Sequence, residues 1–148
     1  ARLLERARAL KIPVVHIQHD AGPGSPYDLN AECGAIADKV APAAGEAVVV
    51  KHYPNSFVGT ELDARLKAAG VKNVVVAGFM THMCINSTSR GAFNLGYAVT
   101  VPAAATATRA LAAPDGSVVE AAALQVAALT ALADLFAVVV ADGAAIPD

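Results

Sequence analysis

Val74-Val75-Val76-Ala77-Gly78-Phe79-Met80-Thr81-His82-Met83-Cys84 is the stretch that decides the fold. Val74 to Ala77 is a short, apolar, β-branched run, the pattern of a buried strand. Ile85 to Leu95, closed by Gly96, reads as a helix. A cysteine therefore sits where a strand turns into a helix. Unpaired backbone N–H groups point outward at a helix N-terminus, and the dipole favours negative charge there. A thiol so placed gives up its proton more readily and becomes a nucleophile. The same N–H groups can hold an oxyanion.

Working outward, five apolar runs read as strands: Pro13 to Gln18, Ala47 to Lys51, Asn73 to Gly78, Ala98 to Val101 and Phe136 to Val140. They lack polar alternation, as expected when both faces of a parallel sheet are covered. Between them, Ala31 to Val40, Glu61 to Ala69, Ile85 to Leu95 and Val118 to Leu135 read as helices. Thr60 with Asp63, and Ser117 with Glu120, have capping-box spacing, and Gly70 suits a helix end. This alternation predicts an α/β fold with helices on both faces of a mostly parallel sheet. Chemistry in such sheets gathers at the carboxyl ends of the strands. The chain opens on Ala1 to Leu10, already a helix. An α/β unit more often opens on a strand, so one domain that has lost its first strand is expected.

Composition narrows the function classes. The 148 residues suit one domain and can bury roughly two-thirds of the unfolded surface. At 55% hydrophobic and a net charge of −2, the chain is neither disordered nor shaped by charge for nucleic acid. No apolar run reaches the length of a membrane span. Cys33 and Cys84 form no C-x-x-C pair and no zinc spacing. A cytoplasmic protein with reduced thiols is expected.

Lys51 ends its strand run and falls at the same sheet edge as Cys84. A lysine there favours a thiolate by charge and can shuttle a proton if partly buried. The competing reading is an ordinary strand-end Lys reaching solvent. Cys84 itself competes with a small buried hydrophobe. Cys33, with no strand close before it, reads as structural or incidental. His82 is expected to touch substrate. His16, His19 and His52 read as polar residues at a loop rim, and Asp20 as an acid in the cleft or as turn chemistry.

Taken together, these stretches resemble the isochorismatase-like cysteine hydrolases. The resemblance rests on Gly45-Glu46, Lys51, Asn55-Ser56-Phe57, Gly59-Thr60 with Leu62 and Leu66, Gly78 to Cys84, Thr88, Ala92 and Gly96-Tyr97. It implies a three-layer α/β/α fold and a triad of Cys, Lys and Asp. The cysteine maps to Cys84 and the lysine to Lys51. A non-proline cis peptide maps to Phe79-Met80 and aims the Met80 N–H, with that of Cys84, at the oxyanion. The triad Asp belongs to a strand expected ahead of Ala1, between Pro13–Gln18 and Asn73–Gly78. Ala104 stands where family members often have Asp. No metal or cofactor is expected.

The resemblance implies hydrolysis of an amide or cyclic amide through a Cys84 thioester. Alternatives are vinyl-ether hydrolysis, as in isochorismatases, and an inactive member that binds or assembles. The expected partner is a small-molecule amide, in a homo-oligomer. Substrate choice is assigned to Ala21 to Asn30 and His52 to Val58, where Phe57 and Tyr53 either pack on a flat substrate or, the commoner case for an aromatic, pack within the protein.

Overall fold

The computed structural model describes residues 1–146. In chain order the strands are β1 (Val15–His19), β2 (Ala47–Lys51), β3 (Asn73–Val75), β4 (Gly78–Phe79), β5 (Ala98–Pro102), β6 (Thr106–Ala107), β7 (Leu111–Ala112), β8 (Val118–Val119) and β9 (Val138–Val140). The helices are α1 (Arg2–Ala9), α2 (Leu62–Ala68), α3 (Asn86–Asn94) and α4 (Ala121–Ala133). The architecture is a three-layer α/β/α fold about a mostly parallel sheet.

The long apolar runs pair in parallel. β1 lies beside β2, with Val15 opposite Ala47 and His19 opposite Lys51. β5 lies between β3 and β9. Among the described residues no ladder joins β1 to β3, so these long strands fall in two pieces, and the short ladders β4-β6 and β7-β8 stand apart from both. The core belongs to the second piece. Ile85, Ala92, Tyr97, Val99, Val101 and Leu132 form one buried cluster, with Phe57, Leu66, Val74, Leu129 and Phe136 against it. α3 and α4 supply its helical side through Ala92 and Leu132.

Several boundaries differ from those expected of the sequence, each for a local reason. Ala31–Val40 is not a helix but two short 3₁₀ turns, Glu32–Gly34 and Asp38–Val40. Gly34 lies so close to the Asp28 carbonyl that an added Cβ would meet it at 2.1 Å, and Ala35 and Ala37 are extended. Asn73–Gly78 is not one strand. Val76 still donates to the Thr100 carbonyl, but Gly78 has φ +122°, open to glycine and strained for other residues. The chain turns there, and Gly78–Phe79 pairs with Thr106–Ala107 instead.

Neither capping box forms. The Thr60 hydroxyl donates to the Ser56 carbonyl and accepts from the Leu62 N–H, while Asp63 binds Lys67 and Tyr97. Ser117 donates to Asp115 within the turn. Val118 and Val119 pair antiparallel with Ala112 and Leu111, which delays the helix to Ala121.

Candidate active site

Three polypeptide segments meet at the carboxyl edge of the sheet. The first is the turn after β4. The Phe79-Met80 peptide is cis. Thr81–Ile85 then forms a single wide π-type turn that runs directly into α3. The Met80 carbonyl accepts from the Met83 and Ile85 N–H groups at 3.0 and 3.2 Å. This fixes the turn that carries Cys84, whose thiol is free and half-buried.

The second segment is the end of β2. Lys51 is 3% exposed, so it is not a strand-end lysine reaching solvent. Its Nζ donates to the Tyr53 carbonyl at 2.9 Å, to His19 Nδ1 at 3.0 Å and to Cys84 Sγ at 3.3 Å. An ammonium has three N–H groups, so each has an acceptor. A buried cation without such partners would be costly.

The third segment is the end of β1, and here the sequence reading needs correction. His19 is not a loop-rim residue. It lies opposite Lys51 in the ladder and touches its ammonium. Tyr27 packs edge-on against the imidazole, with centroids 5.1 Å apart. Burial first, and then the Lys51 charge, hold the His19 pKa below its ordinary 6.5. The ring is therefore neutral at pH 7 and can accept at Nδ1. The available signal was position: His19 and Lys51 both end valine-rich runs. His16 is not at a rim either, because its Nε2 lies 2.8 Å from Glu46. His52 does lie at the rim, 3.1 Å from the Asp20 carbonyl. Asp20 itself serves its turn, accepting from the Gly22 N–H.

The loop after β2 is pinned to the helix that follows Cys84. The Ser56 N–H donates to Thr88 Oγ1 at 3.1 Å, and the two hydroxyls lie 2.9 Å apart. Gly91 lets Asn55 approach α3: a Cβ there would stand 2.5 Å from Asn55 Nδ2. These contacts hold the Tyr53 carbonyl where Lys51 uses it. The Tyr53 ring is 58% exposed.

Two other expected site residues are placed differently from each other. Phe57 stacks on Tyr97, with centroids 5.9 Å apart and planes 16° from parallel, and packs on the core. Of the two readings of Phe57, packing in the protein and packing on substrate, this contact supports the first. His82 is half-buried and its Nδ1 meets the Thr108 hydroxyl. Cys33 is exposed, with Sγ 3.7 Å from the Ser25 carbonyl. Among the described residues, no group of three or more His, Cys, Asp and Glu is placed to hold a metal. Nor is any helix long and apolar enough to cross a membrane.

Comparison with known proteins agrees with this architecture. The isochorismatase domain family matches residues 1–142. The chain is 37% identical over 139 residues to the secreted isochorismatase effector Isc1 of Verticillium dahliae, covering 93% of this chain and 70% of that protein. It is 31% identical over 126 residues to the ureidoacrylate amidohydrolase RutB of Azorhizobium caulinodans, covering 66% of this chain and 56% of RutB. A crystal structure of an isochorismatase from Pseudomonas putida superposes with a TM-score of 0.93 at 36% identity, covering 99% of this chain and 74% of that one. The chain belongs to the isochorismatase family of hydrolases.

Proposed function

We propose that this protein is a cysteine hydrolase that cleaves the C–N bond of a small amide or cyclic amide. One observation carries the reading: the buried Lys51 ammonium lies 3.3 Å from Cys84 Sγ. The amidohydrolase name of RutB supports the bond type. The reacting form is a Cys84 thiolate facing the Lys51 ammonium. Sulfur attacks the carbonyl carbon, a C–S bond forms, and the C=O electron pair moves to oxygen. Backbone N–H groups of Met80 and Cys84 receive that oxyanion, a contribution of about 3 kcal/mol per donor. The tetrahedral species collapses, the C–N bond breaks, and the amine leaves with a proton from Lys51. Water then attacks the thioester, Lys51 takes the proton that the water loses, and the acid and the thiolate separate. Tyr53 and His82 form the rim that meets substrate.

Ureidoacrylate and simple carbamoyl amides are the substrates to try first. In a form of the protein that has the triad Asp in place, turnover is expected, with an acyl adduct on the Cys84 peptide by mass spectrometry, and none for Cys84→Ala. Lys51→Arg is expected to be inactive as well, because guanidinium does not release a proton at ordinary pH. Unchanged turnover in Cys84→Ala would remove the cysteine from the reaction. A second reading is favoured by the names of two relatives, the isochorismatases of V. dahliae and P. putida. Isochorismate belongs in the same assay, and its turnover by Cys84→Ala would select vinyl-ether hydrolysis.

The proposal extends to the setting: one domain, without cofactor, in a cytoplasmic homo-oligomer. Large apolar residues left exposed support the oligomer, among them Phe79 at 75% and Val126 at 65%. Sedimentation equilibrium that shows only monomer would overturn it. Isc1 is named as secreted, so cell fractionation decides the location.

A further inference from the structure

We propose that His19 is a positioning residue of this site, whose unprotonated Nδ1 takes one N–H of Lys51 and so directs another N–H at Cys84 Sγ. The inference rests on the cysteine-nucleophile reading above. A lysine ammonium ends a flexible four-carbon stem, and only its acceptors fix the direction of its three N–H groups. Two of the acceptors here are rigid. The Tyr53 carbonyl is held by the loop that Ser56 and Thr88 tie to α3. His19 is held by its place opposite Lys51 in the ladder and by the edge of Tyr27. With the distances at 2.9 and 3.0 Å, the remaining N–H is left facing sulfur.

The protonation state of His19 decides whether this arrangement holds. A neutral ring that accepts at Nδ1 carries its proton at Nε2, whereas a doubly protonated ring has no lone pair to offer. It would also set two cations 3.0 Å apart. The charged and titratable groups facing the ring are Lys51, His52, Asp20 and Tyr27. Burial, Lys51 and His52 disfavour the protonated ring, and Asp20 alone opposes them. The acceptor is thus present at neutral pH and lost on the acid side.

The test is iodoacetamide alkylation of the full 148-residue chain, read by peptide mass across pH 5 to 9 as the ratio of Cys84 to Cys33 labelling. The forms compared are the parent, His19→Ala and His19→Asn. Asparagine offers a carbonyl oxygen near the place of Nδ1 and does not titrate. At neutral pH, His19→Ala is expected to lower the ratio about tenfold, as for loss of a hydrogen bond to a charged group. His19→Asn is expected to stay within about threefold of the parent. The parent profile should carry an acid-side inflection that His19→Asn lacks, which a merely structural role would not produce. If His19→Ala fails to fold by circular dichroism, the parent and asparagine profiles decide. A ratio unchanged in folded His19→Ala, or the same acid inflection in His19→Asn, overturns the inference alone. A parent in which Cys84 labels no faster than Cys33 overturns the nucleophile reading and this inference with it.

Discussion

The three-stranded piece of the sheet, β3-β5-β9, and the two-stranded piece, β1-β2, are held by different forces. The first is backed by the buried cluster of Ile85, Ala92, Tyr97, Val99, Val101 and Leu132. In the second, every residue of β1 is only half-buried, and β2 buries Val49 and Lys51. Polar ties take the place of a core. Arg8 donates twice to the Glu46 carboxylate at 2.7 Å, His16 meets it at 2.8 Å, and Gln18 donates to the Gly34 carbonyl. Cys84 lies in the turn after β4, next to the cluster residue Ile85, and Lys51 and His19 lie in the piece without the core. The contact proposed to do chemistry spans the two. Nonpolar packing holds one partner in place, and directional bonds aim the other. Local opening is expected to be easier in β1-β2 than in β5.

The strongest way to break this contrast is Leu132→Ala. Leu132 is 0% exposed, and truncating a buried leucine costs about 2 to 5 kcal/mol. Thermal unfolding by circular dichroism should move down by about 5 to 20 °C for a chain of this size. A Tm within a degree or two of the parent would mean that the cluster is not where stability resides.

A smaller and more local effect is expected from Glu46→Gln. The Glu46 carboxyl is held well below the usual carboxylate range, first by the Arg8 guanidinium and then by the Ala43 N–H. Its stabilising contribution is present above its ordinary value near 4.5 and disappears as pH falls toward the lower folded value. Amide hydrogen exchange of Glu46→Gln at pH 7 should quicken in Val15–His19 and Ala47–Lys51, with β5 unchanged. Equal quickening in both pieces would show one cooperative unit.

The smallest expected effect sharpens the other side of the comparison. Tyr97 donates to Asp63 at 2.8 Å. Burial, and then Asp63, push the Tyr97 pKa up to about 12, while Lys67 and then Tyr97 hold Asp63 below its ordinary value. The tyrosine contribution is whole below pH 10 and is lost as pH rises toward 12. The aspartate contribution is whole above about pH 4 and is lost as pH falls. Tyr97→Phe should flatten the alkaline arm of a Tm-against-pH curve. Identical alkaline arms in the two proteins would remove Tyr97 from that arm.

What could be read from the sequence followed the same division. The strand, turn and helix order from Val74 to Cys84 was legible because these are local patterns, but the break at Val76-Ala77 and the exposure of Val75 were not. β2 was read to the residue, and Lys51 and Cys84 were placed at one edge from strand ends alone. His19 was misread because its partner lies 32 residues away, and strand register is not written locally. Ala31–Val40 misled for a different reason: its composition suits a helix, but the loop folds Gly34 back onto the Asp28 carbonyl and leaves Ala35 and Ala37 extended. Phe57 stood open between packing and substrate contact, and only the fold brings Tyr97 beneath it.

The saturated ammonium of Lys51 also sets an order of events. With Tyr53, His19 and Cys84 as its three acceptors, no N–H is spare for an arriving substrate. In the proposed reaction the carbonyl is then polarised by backbone groups, and the lysine proton stays withheld while the sulfur is unreacted. Once the proposed attack makes the sulfur part of an acyl group, it becomes a weak acceptor and lets its N–H go. The proton is then released beside the departing amine, at the step that needs it. In that scheme, withholding the acid until the nucleophile has been consumed keeps its proton from being lost to water.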